Sequence, residues 1–147
     1  MLRQIVVGLI AGVAFLVLDG LVNANPMAQR LYAVYEPIAR PSVNTAAGSA
    51  VDLAYGVILV ALFLTLRPSL PGRTSIMKGV SFGLMVWFLR VVMRVGGEWV
   101  TTTVPTTTHA YTLVAGLVQV LLVTGVIAHL LPQPPAAVSG SGAGARG

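Results

Sequence analysis

The sequence predicts an all-α integral membrane protein, a four-helix bundle with a short interfacial helix, and three observations carry that reading. Of the 147 residues, 56% are hydrophobic and 9% charged, where a soluble domain carries about 25% charged residues. Four apolar runs, 5–22, 46–66, 76–100 and 108–131, each come close to the roughly 20 helical residues that cross about 30 Å of hydrocarbon. None alternates with the period of two that barrel strands need, and lipid leaves no partner for an unpaired backbone group.

The composition excludes other classes. The net charge of +5 comes from nine Lys and Arg against four Asp and Glu, too sparse to form a nucleic-acid surface. The chain has no Cys, which removes disulfides, thiol catalysis and iron–sulfur clusters. The expected partners are the lipid bilayer and either a second copy of the chain or a membrane partner protein.

The first span follows Arg3, and Val22-Asn23-Ala24 has the small residues of a signal-peptide cleavage site. The run is long for a signal sequence, and Asp19 would serve nothing in a cleaved peptide, so an uncleaved anchor is expected. Asn25-Pro26 then reads as a helix start and Glu36-Pro37 as a stop. Between them Met27, Leu31, Val34 and Tyr35, with Ile38 just beyond, recur at helical spacing. This short helix, about 26–36, either lies on the outer membrane surface or packs as an ordered cover over the helix ends. The segment 101–108, uncharged and broken by Pro105, is a tight hairpin between the last two spans. One transmembrane domain is expected over 1–135, followed by a Gly/Ser/Ala-rich tail, 136–147, too poor in apolar residues to order itself.

Positive charge orients the bundle, because short Lys/Arg-rich loops stay in the cytoplasm. Arg3, Arg67, Arg73, Lys78 and Arg146 fall on one side and only Arg30 and Arg40 on the other. Both termini are therefore expected in the cytoplasm.

Spans one and three share a pattern. Gly8, Gly12 and Asp19 have the spacing of Gly79, Gly83 and Arg90, and the two runs begin at Ile5 and Ile76. Each set falls on one helix face, which suits close helix packing. Two parallel-related helical hairpins would explain the match, and so would packing alone.

The ionisable residues within the spans are Asp19, Asp52, Arg90, Arg94 and Glu98. Counted by helix rise, Asp19, Asp52 and Arg94 reach one level, about 22 to 24 Å above the cytoplasmic charges. Arg90 and Glu98 follow Arg94 at i±4, on a face shared with Gly79, Gly83 and Gly97. A central Arg costs about 2.5 to 3.5 kcal/mol to insert. Asp19 and Asp52 are therefore expected as partners for the two Arg, in a locally neutral set. Two readings stand: a salt-bridge network that fixes helix register, or a polar vestibule in the outer half. Candidates to line the vestibule are Asn23, Tyr55, His109 and Gln119, with Asn25, Tyr32, Tyr35 and Thr112. Trp99 suits the outer interface and Trp87 packing. His109 and His129 lie about 30 Å apart along one helix, too far to share a metal. Gly116 and Gly125 fall on opposite faces of span four, one for the bundle and one for an oligomer. No catalytic, cofactor-binding or metal-binding residue is assigned.

Phe15-Leu16-Val17-Leu18-Asp19-Gly20 and Lys78-Gly79-Val80-Ser81-Phe82-Gly83 carry a resemblance over residues 5–131. The chain resembles small four-helix prokaryotic integral membrane proteins, a family without a known activity. The resemblance implies a prokaryotic inner membrane and brings no substrate.

The leading functional expectation is a structural or accessory role through helix contacts. The second is a proton- or ion-linked carrier or channel for a small solute, using the charge cluster. A third is an enzyme acting on a lipid head group through Asp19, Asp52 and the two Arg.

Overall fold

The computed structural model describes residues 2–39, 42 and 44–132. Arg40, Arg146 and the tail 136–147 lie outside the described residues. The described chain is an all-α four-helix bundle. Four of its helices are long and apolar enough to cross a membrane: Leu2–Ala24, Thr45–Leu66, Ser75–Thr101 and Thr106–Leu130.

The first helix, α1, runs over Leu2–Ala24, and α2 over Pro26–Tyr32. Asn25 separates them because its side chain accepts the Ala28 amide at 2.8 Å, capping α2 with Pro26 at its first position. The expected single helix to Glu36 is corrected here: α2 ends at Tyr32, and a 3₁₀ turn continues over Ala33–Ile38 with Pro37 inside it. Proline has no N–H to give and crowds the carbonyl four residues back, so the α ladder gives way before it.

Helix α3, Thr45–Leu66, is capped by the Asn44 side chain on the Ala47 amide at 3.0 Å. Its connection to α4, Ser75–Trp87, turns through Gly72, whose φ of 124° is open only to glycine at low cost. Lys78 closes the turn by donating to the Arg67 carbonyl at 2.8 Å. After α4 come one π turn, Phe88–Val92, then α5, Met93–Thr101, and α6, Thr106–Leu130. The three last-named segments before α6 form one continuous span.

Glycines set the packing. A Cβ on Gly12 would stand 2.6 Å from the Leu53 Cα, one on Gly8 2.9 Å from the Val57 Cα, and one on Gly56 would collide with the backbone of Gly8 and Gly12. Helices α1 and α3 therefore touch backbone to backbone. Gly79 and Gly83 do the corresponding work in the second hairpin, where α4 meets Thr124 and Ala128 of α6. The two hairpins join chiefly through α1 and α6. Phe15, Phe63, Phe82, Val120, Val123 and Ile127 fill the centre, all fully buried. Around them Leu9, Ile10, Val13 and Val17 on α1, like Val114, Val118 and Leu122 on α6, point outward. An apolar exterior on every long helix is what a lipid environment requires.

The start of α1 and the end of α6 share one end of the bundle, where Arg3 donates to the Leu130 carbonyl at 2.8 Å. The α3–α4 turn lies there too, with Phe63 against Phe82 at 5.4 Å between ring centroids. Towards the opposite end α5 stays with α6 and makes no substantial contact with α3 among the described residues. At that end spans two and three stand apart.

The π turn corrects one expectation about faces. It inserts one residue into the helical count, which turns everything beyond it by about 100°. In an unbroken α-helix Gly97 would come round to the side of Gly79 and Gly83. Instead Gly97 has nothing within 4 Å of where a Cβ would sit. Val95 is the buried residue of α5, lying against α6, while Arg94 is exposed and borders a polar cavity.

Candidate functional site

Above the apolar centre the bundle encloses a polar cavity of about 310 Å³. Helix α1 contributes Asp19, Val22 and Asn23, and the span with the π turn contributes Arg90, Val91 and Arg94. Helix α6 supplies Thr112, Ala115, Gly116, Gln119 and Val120, a single stripe at helical spacing. Tyr32 and Tyr35 cover the top.

The cover is tied down by hydrogen bonds. Asn25 donates to the Tyr111 hydroxyl at 2.7 Å, and that hydroxyl donates to the Val22 carbonyl at 3.0 Å. Thr108 donates to the Leu31 carbonyl at 3.1 Å, and the Tyr32 and Thr112 hydroxyls share a bond of 3.3 Å. Tyr32 also packs edge-on against Tyr111, with centroids 5.8 Å apart. The segment 26–38 is thus a lid fastened to α6.

Arg94 Nε donates to Glu98 Oε1 at 2.9 Å, one turn along the same helix. The other carboxylate oxygen accepts the Tyr35 hydroxyl at 3.1 Å. Partial burial, and after it the bond to Glu98, raise the Tyr35 pKa above its ordinary value near 10. The hydroxyl therefore stays a donor at neutral pH. A raised folded-state pKa contributes stability that is complete below the unfolded value and is lost as pH climbs through the folded one. Tyr35→Phe should cost about 1 kcal/mol at neutral pH, and it should remove a loss of thermal stability above about pH 10. Melting curves of the two proteins between pH 7 and 11 check both points, and parallel alkaline profiles would exclude the tether.

Arg90 is held differently. Its guanidinium carbon lies 4.4 Å from the centroid of the Phe15 ring and 4.2 Å from that of Tyr55. Phe15 and Tyr55 meet edge to face at 5.1 Å. Two cation–π contacts thus replace the carboxylate expected for this Arg. Gln119 reaches from α6 to Asp19 Oδ1 at 3.4 Å and to the Phe15 carbonyl at 3.5 Å.

Asp19, Arg90 and Arg94 line the cavity with Asn23 and Gln119. Glu98 reaches the site through Arg94 and Tyr35. Asp52 stands outside the lining, within electrostatic reach of Asp19 and Arg90. The expected neutral set of two Asp with two Arg is corrected, because Arg94 with Glu98 is the one ion pair among the described residues. The turn of about 100° at the π segment and the two aromatic rings under Arg90 account for the change.

Tyr55 and His109, expected in the vestibule, do not line it. Tyr55 is occupied under Arg90. His109 belongs to the neighbouring stripe of α6, with Thr106, Ala110 and Leu113, and faces Val92, Val95, Gly96 and Trp99 of the preceding span. It is buried there, and its Nε2 has no hydrogen-bond partner. Trp87 donates to the Leu113 carbonyl at 2.9 Å, and Trp99 is exposed. His129 is exposed near the far end of α6.

Sequence reasoning missed the π turn and the aromatic seat of Arg90. Phe15, one turn before Asp19 on α1, was the available signal for the second, and no residue type marks the first. Ala115 and Gly116 were also missed as cavity wall, although they follow Thr112 at i+3 and i+4. No family model, no curated protein and no solved structure matches the chain.

Proposed function

We propose that this chain is a small polytopic protein of a prokaryotic cytoplasmic membrane that takes up a small polar solute in its outer half, as a carrier or channel does. One observation supports this above the rest: three charged and five uncharged polar side chains converge on one cavity inside an apolar bundle. Placing ionisable groups at such depth is costly, and groups so placed commonly line a route for ions or solutes. A structural network would instead close its charges on one another, and Asp19 and Arg90 have no ionic partner within 4.0 Å among the described residues. Arg67, Arg73 and Lys78, at the end where α1 starts and α6 finishes, favour the cytoplasm for that end, which leaves the cavity on the outer side.

The absence of cysteine makes the test direct. Ala115→Cys, in the cavity wall, should react from outside with a membrane-impermeant maleimide. Val123→Cys, about two turns deeper in the fully buried centre, should not. Equal protection of both would remove the cavity as a solute site.

A second reading, an accessory protein acting through helix contacts, is favoured by Gly125. It stands open on α6 with nothing within 4 Å, whereas Gly116 is closed by the Val91 methyl groups at 3.0 Å. Crosslinking through Gly125→Cys in native membranes would support a pairing face there, and only monomer would count against it.

A further inference from the structure

We propose that the solute is a small zwitterion, carrying one ammonium and one carboxylate as an amino acid does; this rests on the cavity being the binding site. Asp19, Arg90 and Arg94 are the charged side chains of the lining. Arg94 is matched by Glu98 at 2.9 Å. That leaves one acid and one base, Asp19 and Arg90, which border the same space of about 310 Å³ without pairing with each other.

Each is held so that part of its hydrogen-bonding capacity stays unused. The Arg90 guanidinium lies over the Phe15 and Tyr55 rings and interacts with the Tyr55 hydroxyl, contacts that leave most of its five N–H donors unused. A carboxylate fits that edge in two parallel hydrogen bonds. Asp19 accepts one long bond from Gln119 at 3.4 Å, while an ionised carboxylate has about four acceptor sites. An ammonium supplies donors for the others. The tyrosine and threonine hydroxyls above the pair suit the short polar body of such a molecule.

The surrounding field ranks the alternatives. Asp52 lies within electrostatic reach of Asp19 and Arg90, so with Glu98 three acids surround two bases. A net anion is therefore the worst match. The expected order is zwitterion over simple amine, and amine over simple carboxylate.

The experiment uses the full chain carrying Ala115→Cys in right-side-out membrane vesicles. L-Alanine, 4-aminobutyrate, butylamine and butyrate are compared as protectants against the impermeant maleimide. One of the two zwitterions should slow labelling about tenfold at a concentration at which butyrate does not. Butyrate protecting as well as both zwitterions, or butylamine protecting better than both, overturns the assignment. Labelling that none of the four slows also overturns it, while leaving the cavity open to solute. A cysteine that the reagent never reaches removes the binding site itself. Asp19→Asn gives an independent reading, since it keeps the side-chain shape. Zwitterion protection should fall about tenfold with butyrate no weaker, and unchanged zwitterion protection overturns the role given to Asp19.

Discussion

Gly56→Ala should lower the stability of the bundle by about 3 kcal/mol or more, at the upper end of what overpacking costs. The added Cβ meets the Gly12 amide nitrogen and Cα and the Gly8 carbonyl oxygen, all backbone atoms of α1. No side-chain rotation relieves such a contact, so α1 and α3 must move apart along their length. Gly12→Ala should approach the same loss, since its Cβ would stand 2.6 Å from the Leu53 Cα. Gly83→Ala should cost less, because its first obstacles are the Thr124 hydroxyl and a Leu121 methyl. Gly20 and Gly97, which meet nothing within 4 Å, give the control. Alanine there should be neutral or stabilise by about 0.5 to 1 kcal/mol, the usual helical preference over glycine. Melting temperatures in one detergent rank the five variants, and a Gly56→Ala protein that melts with the wild type would contradict the backbone contact.

Arg90→Gln should cost about 1 to 2 kcal/mol, two cation–π contacts worth about 0.5 to 1 kcal/mol each at an exposed side chain. It also leaves Asp52 and Asp19 within electrostatic reach of each other with no cation beside them. Adding Asp52→Asn to Arg90→Gln should therefore restore part of the loss, although Asp52→Asn alone removes a favourable neighbour of Arg90. Such a sign change is non-additivity of the kind a double-mutant cycle detects. Arg94 with Asp52 should instead be additive, because Arg94 is committed to Glu98. That i,i+4 pair, with Arg94 63% exposed, is worth about 0.3 to 0.5 kcal/mol by itself. Additive behaviour of Arg90 with Asp52 would show that the two do not sense each other.

The fold was legible in the sequence because the bilayer imposes a coarse rule, about 20 apolar residues per crossing, that local detail cannot disturb. The paired glycines were legible for a related reason: Gly8 with Gly12, and Gly79 with Gly83, sit at the spacing that makes one groove. The cavity was only half legible. Depth follows from chain position, so Asp19, Arg90 and Arg94 could be set at neighbouring levels by counting. Direction does not survive one irregular turn, and Arg94, Val95 and Gly97 all face other ways than an even 100° per residue would put them. Arg90 shows a second limit. Counting charges suggests carboxylates as its partners, whereas aromatic faces at Phe15 and Tyr55 serve it, and ring geometry is invisible to charge arithmetic. The lid was legible as a capped segment from Asn25. Its fastening through Tyr111, Thr108 and Thr112 depends on contacts more than seventy residues apart in the chain.

The π turn at Phe88–Val92 amounts, in genetic terms, to an insertion of one codon into an otherwise regular helix. Deleting exposed Leu89 would return the span to continuous α geometry. Val95 would still lie towards α6, because the lost residue and the lost wide turn cancel, while Arg90 would shift by one position relative to the glycine face. A single-residue deletion can thus move a charge without removing it. Substitutions can alter only which group stands at a position, so placement and identity at this site are open to separate mutation.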